Sequence, residues 1–176
     1  MLFRSIPTLS ADHPDYHEDG HYWKGSVWAP TNYMTLKGLA RTGYHSLAHE
    51  IACNHLENAV KVYGTTGTVW ENYSPEHEKP GNPARPDFVG WTGLIPIAVL
   101  IEYVFGIQAD AKNEEILWRV NLTEAHGIEK YPFGGKFVDL LCEARENATA
   151  EPVVTVKCDS PVKIRVIWEG GEKFIG

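Results

Sequence analysis

From Pro30 onward the apolar residues fall first into helical and then into strand periodicity. Tyr33, Leu36, Leu39 and Ala40 recur at helical spacing behind a proline suited to the first helical position, with Gly43 as a C-terminal stop, which predicts a helix over residues 30–42. Leu47, Ile51, Leu56, Ala59, Val60 and Tyr63 form a second apolar face over residues 46–63, ended by Gly64 and paired antiparallel with the first helix. Residues 92–105 are apolar on nearly every side, through Ile97, Ala98, Val99, Leu100, Ile101, Val104 and Phe105. This predicts a third helix buried all round, with Pro96 in its first turn and Gly106 as its cap. Beyond Gly106, short runs at 115–120, 136–141, 153–156 and 163–168 are bounded by turn residues. They predict a mostly antiparallel β tail with turns at Gly134-Gly135 and Gly170-Gly171. Residues 1–29, rich in Pro, Asp, His, Gly and aromatics without period, predict a long ordered loop, and such loops are often functional. The expected organisation is mainly α followed by β, with residues 1–106 as one part and 107–176 as the other.

Composition narrows the function. The chain has 176 residues, 43% hydrophobic and 22% charged, enough for one or two globular domains with a core. A formal charge of −7 and a pI near 5.6, with Lys and Arg dispersed, argue against nucleic acid as a partner. Cys53, Cys142 and Cys158 cannot all pair within the chain, which favours a reducing compartment. The segment Met1-Leu2-Phe3-Arg4-Ser5-Ile6-Pro7 lacks the apolar region of a secretion signal, and the apolar run from Leu94 to Ile101 is too short for a bilayer. A soluble cytoplasmic chain with no membrane partner is the expectation. The N-x-S/T sequons at Asn72, Asn121 and Asn147 are read as chance matches.

Two blocks carry the candidate chemistry. One is Tyr22-Trp23-Lys24-Gly25-Ser26-Val27-Trp28-Ala29-Pro30-Thr31-Asn32-Tyr33; the other joins Val69-Trp70-Glu71-Asn72-Tyr73-Ser74 to Gly90-Trp91-Thr92-Gly93-Leu94. Trp23, Trp28, Trp70, Tyr73 and Trp91 could offer apolar faces to the C–H surface of a sugar ring, and Asn32 or Asn72 could bond hydroxyls. Glycoside hydrolysis needs two carboxyl groups flanking the scissile bond, of which Glu71 would be one. The competing reading makes Trp70 and Trp91 core residues and Glu71 a charge on a loop.

These blocks resemble glycoside hydrolase family 63, which includes mannosyl-oligosaccharide glucosidase and bacterial α-glucosidases and mannosylglycerate hydrolases, and more distantly family 37 trehalase. The likeness runs from about Ser5 to Gly106, and the β tail resembles the segment after the barrel in bacterial members. It implies an (α/α)6 toroid of six helical hairpins and an inverting mechanism acting on α-glycosidic bonds. Glu71 matches the general base that activates water; Tyr22, Trp23, Lys24, Gly25, Trp28, Asn32, Trp70, Tyr73 and Trp91 are the substrate-binding candidates. No cofactor is implied. In the family the general acid is an aspartate on an earlier helical segment, and Asp12, Asp15, Asp19 and Asp87 match no such motif. About three helices cannot close a ring of six hairpins, so the chain is expected to be the C-terminal portion of a larger glycosidase. The remainder of the toroid, or a self-associated copy, is then a partner beside the carbohydrate substrate. The alternative is a catalytically incomplete fragment that binds carbohydrate or serves assembly.

Histidines prompt a metal reading, which is set aside. His13, His17 and His21 recur every four residues without a helical signal. His45, His49 and Cys53 do so on the second helix, where the outer two lie about 12 Å apart along the axis, too far to share one ion. Solvated or hydrogen-bonded histidines are expected.

Overall fold

The computed structural model describes residues 5–176, so Met1-Leu2-Phe3-Arg4, on which the start of the loop and the signal-peptide reading fell, lie outside the described residues. Among the described residues three helices precede seven strands, and the chain divides into two compact units, one ending at Tyr103 and the other spanning Val104–Gly176.

In the first unit, α1 (Ala29–Arg41) begins with Pro30 in its first turn. It ends at Thr42, where Gly43 takes a positive φ of 89° and the Tyr44 N–H turns back to the Leu39 carbonyl at 2.9 Å. α2 (His45–Thr66) runs past Gly64, the expected stop, to a left-handed Gly67 whose N–H reaches the Tyr63 carbonyl at 2.7 Å. The hydroxyls of Thr65 and Thr66 bond back to the Val62 carbonyl at 3.0 and 2.7 Å, which carries the last turn beyond the glycine. The face that α2 buries also differs from the expected one. Ala48, Ala52, His55, Asn58, Ala59 and Val62 point inward, while Leu47, Val60 and Tyr63 are exposed. Small residues permit a close approach that bulkier ones would prevent.

The third helix is a 3-10 turn at Trp91–Leu94 running into a π-helical segment at Ile95–Val104. The expected all-round burial does not hold: Ile95 and Val99 are buried, whereas Ile97 is 63% exposed. One apolar cluster unites Val27, Ala29, Ala59, Val62, Tyr73 and Ile95, with Leu56, Trp70 and Leu94 against it.

The second unit holds β1 (Ile107–Asp110), β2 (Glu115–Arg119), β3 (His126–Phe133), β4 (Lys136–Cys142), β5 (Val154–Cys158), β6 (Lys163–Trp168) and β7 (Gly171–Ile175). They form a four-stranded sheet in the order β1-β2-β6-β7 and a three-stranded sheet in the order β3-β4-β5. The tail is antiparallel except where β2 and β6 pair in parallel, Ile116 beside Ile164 and Trp118 beside Val166. Those four side chains are buried, as are Val138, Leu140 and Cys142 on β4, following the two-residue alternation of half-buried strands. The Arg145 guanidinium gathers the carbonyls of Val120, Leu122, Ala148 and Ala150 at 2.7–3.2 Å, closing the turns around this core.

Candidate functional site

Isolated β-bridges join Pro7 to Val27, Val27 to Tyr73 and Tyr73 to Pro80, so the two aromatic blocks lie side by side. The central bridge exchanges both backbone hydrogen bonds between Val27 and Tyr73, at 2.9 and 3.0 Å. Two residues before Tyr73, Glu71 is fixed along its backbone. Its N–H donates to the Arg85 carbonyl at 2.9 Å, and its own carbonyl accepts from Trp91 Nε1 at 3.2 Å. The Thr92 hydroxyl donates to the Trp70 carbonyl at 2.8 Å, with the Glu71 carbonyl at 3.4 Å. The Glu71 residue is only 6% exposed, and its Oε1 accepts from the Tyr22 hydroxyl at 3.4 Å. The Tyr22 phenol is held above its ordinary range, first by burial and then by the adjacent Glu71 charge, with Arg85 opposing.

Beside the carboxyl is an aromatic wall. Trp28 is fully buried and lies parallel to Trp23, ring centroids 4.2 Å apart and planes 7° apart. Tyr22 meets Trp28 edge-on at 4.8 Å, and Trp91 leans on it at 5.6 Å with Phe88 behind at 5.1 Å. The outer rings are accessible, Trp23 at 53% and Trp91 at 41% exposure. An enclosed carboxylate beside two exposed indoles can accept a proton and offer flat apolar faces to a ligand.

The other candidates are placed differently. Asn32 is fully buried: Oδ1 accepts from the Ser5 hydroxyl at 2.5 Å and the Ile6 N–H at 3.0 Å, while Nδ2 donates to the Ile6 and Trp28 carbonyls at 2.9 and 3.0 Å. Its hydrogen-bonding capacity is spent inside the fold. Tyr73 is buried, and its hydroxyl accepts from the Trp70 N–H at 3.4 Å. Trp70 rests against the apolar cluster and donates from Nε1 to the Thr66 hydroxyl at 3.0 Å. Lys24 is exposed and lies 3.9 Å from Asp15. Gly25 has a φ of 137°, and a Cβ there would come within 2.8 Å of the His17 carbonyl and 2.9 Å of the Tyr16 ring, so its part is to let the loop fold on itself.

The aspartates without a motif have partners other than Glu71, Asp15 being paired with Lys24 as above. Asp12 accepts from Ser10 at 2.5 Å, Asp87 accepts from Thr68 at 2.6 Å, and Asp19 pairs with Lys79 at 2.6 Å, which holds its carboxyl below the usual range. Among the described residues no three His, Cys, Asp or Glu side chains converge as a metal site. His17 and His21 meet edge to face at 4.5 Å, and His49 Nδ1 bonds the Tyr103 carbonyl at 2.9 Å. Cys53, Cys142 and Cys158 form no disulfide with one another. The amide of Asn72 is buried and donates to the Pro83 carbonyl at 3.2 Å.

Arg85 and Thr92 are supports that sequence reasoning did not assign. Thr92 stood within a quoted motif and carried a signal; Arg85 acts through its carbonyl, for which side-chain identity gives no clue.

Residues 2–92 match the model of the mannosylglycerate hydrolase MGH1-like glycoside hydrolase domain. Over 91 residues, 47% of this chain, it is 35% identical to alpha-glucosidase 2 of Arabidopsis thaliana, of which 11% is covered. Over 100 residues, 51% of this chain, it is 28% identical to the probable mannosyl-oligosaccharide glucosidase of Schizosaccharomyces pombe, of which 12% is covered. An uncharacterized protein of Borreliella burgdorferi is 26% identical over 148 residues, 78% of this chain and 31% of the relative. The chain thus spans under a third of the length of these relatives.

Proposed function

This chain belongs to the mannosylglycerate hydrolase MGH1-like glycoside hydrolase domain family, and from that premise we propose that it contributes the base half of an inverting glycosidase acting on α-glycosidic bonds. The observation that carries the reading is the buried Glu71 carboxyl, held by Tyr22 and fixed along its backbone by Arg85, Trp91 and Thr92, beside the exposed faces of Trp23 and Trp91. Glu71 takes a proton from water as that water attacks the anomeric carbon. The indoles seat the sugar ring, and a second carboxyl, ~6.5–9.5 Å away, protonates the leaving oxygen. That second carboxyl is, in this reading, none of Asp12, Asp15, Asp19 and Asp87. In this reading the three helices are part of an (α/α)6 toroid, and the sugar, a glucoside or related α-glycoside, is joined as partner by the rest of the ring or by another copy.

The engagement of Asp12, Asp19 and Asp87 elsewhere favours a second reading for the chain by itself, a catalytically incomplete piece that keeps a carbohydrate-binding face or an assembly role. Incubation with aryl α-glucosides, trehalose and α-linked glucose disaccharides, following the anomer released by NMR, tests both. Release of the inverted anomer that falls by about 10²-fold or more in Glu71→Gln supports the base role. Equal rates in the two proteins reject it, and sugar binding without hydrolysis supports the second reading.

A further inference from the structure

Gly20, His21 and Tyr22 have successive positive φ angles of 93°, 34° and 64°. A left-handed backbone is unfavourable for a residue that carries a Cβ, and two such residues in a row persist only where the surroundings hold them. Here they are held. The Gly20 N–H donates to the His17 carbonyl at 2.8 Å, the Ser26 N–H to the carbonyls of Gly20 and Tyr22 at 3.0 and 3.2 Å, and Trp28 Nε1 to the Tyr22 carbonyl at 3.4 Å. The effect of this turn is to stand the Tyr22 ring edge-on to Trp28 and Trp23, at 4.8 and 5.9 Å, with its hydroxyl at Glu71 Oε1. A carboxylate only accepts, so the phenol is the donor. Tyr22 is the ionisable group bonded to this carboxyl, with the Arg85 charge opposing at the phenol; Trp70, Trp91 and Thr92 do not titrate.

Building on the base reading of Glu71, we propose that Tyr22 is a positioning residue: its phenol engages Oε1 and turns Oε2 toward the attacking water. The strained turn from Gly20 to Tyr22 is the device that aims it. This separates Tyr22 from the residues that contact sugar, because its effect passes through Glu71.

The test uses the whole chain with glutamate labelled at the carboxyl carbon. At pH 7, Tyr22→Phe is expected to move the Glu71 carboxyl resonance and leave that of Glu102, which is bonded by Tyr33; Tyr33→Phe should do the reverse. An unmoved Glu71 resonance overturns the proposal. Should Tyr22→Phe not fold, the reciprocal measurement on Glu71→Gln, with tyrosine labelled at Cζ, must move the Tyr22 signal or the proposal fails. In hydrolysis, kcat should fall about ten-fold in Tyr22→Phe with KM nearly constant, as for loss of a hydrogen bond to a charged group. A raised KM with intact kcat would make Tyr22 a sugar contact and overturn the positioning role. Full activity in Glu71→Gln with the resonance still shifted identifies a failure of the base reading and leaves the pairing standing.

Discussion

The buried polar chain behind the site has a definite direction. The Ser5 hydroxyl donates to Asn32 Oδ1, so it must accept from His55 Nδ1, 3.0 Å away, which fixes the imidazole as the Nδ1–H tautomer. His55 is fully buried, its Nε2 has no partner among the described residues, and burial pushes its pKa down to about 4. The unfolded histidine binds a proton near its ordinary value of 6.5, so the unfolded state takes up more protons in between. The His55 contribution to stability is therefore fully present above about pH 6.5 and is lost as the pH drops toward 4, by about 3 kcal/mol in total. Urea unfolding midpoints between pH 7 and 4 should follow this slope, and His55→Gln should flatten it. Asn32→Ala removes four hydrogen bonds from a sealed place and is expected to cost about 2–4 kcal/mol in the same assay, with sugar affinity little changed if the protein folds. At this scale the motifs put Glu71 and its aromatic company forward as candidates. It could not tell the tryptophans that face solvent from Trp28 beneath them, nor see that Asn32 is fully engaged, since both depend on contacts between distant segments.

Helix positions were legible because Pro30, Gly43 and a sustained apolar period mark them locally. The buried face of α2 was not, because Ala48, Ala52 and Ala59 are inward for their small size while hydrophobicity alone pointed to Leu47, Val60 and Tyr63. Ala52→Leu is accordingly expected to overpack this seam and lower stability by about 1–3 kcal/mol, read as a fall in Tm. Strands β1, β3 and β7 escaped notice since they are short or weakly alternating, with Pro132 inside β3 and Gly171 opening β7. The parallel pairing of β2 with β6 joins segments more than forty residues apart, a choice that no local pattern encodes. In the loop joining α2 to the third helix, a Cβ at Gly81 would collide with Asn72 Oδ1. Gly81→Ala should therefore disturb the residue next to Glu71, costing about 1–3 kcal/mol and lowering hydrolysis together with stability.

At the scale of the molecule, the first unit leaves Met34, Tyr44, Leu47, Val60 and Tyr63 open to solvent, more large apolar side chains than two helices need expose. Sedimentation velocity is expected to show a mass above 19.7 kDa that rises with concentration, and the double change Leu47→Lys with Val60→Lys should reduce it. No helix among the described residues is long and apolar enough to cross a membrane. Family membership and the α-then-β order were legible from motifs and periodicity, whereas closure of a ring depends on segments whose packing those motifs do not describe. The parallel Trp23–Trp28 stack has an optical consequence. Indoles 4.2 Å apart share their electronic excitation, so the chain should carry an exciton signature in circular dichroism and a partly quenched emission. A sugar settling on the outer face of Trp23 would perturb both, giving the protein a built-in reporter of occupancy that works even where no bond is cleaved.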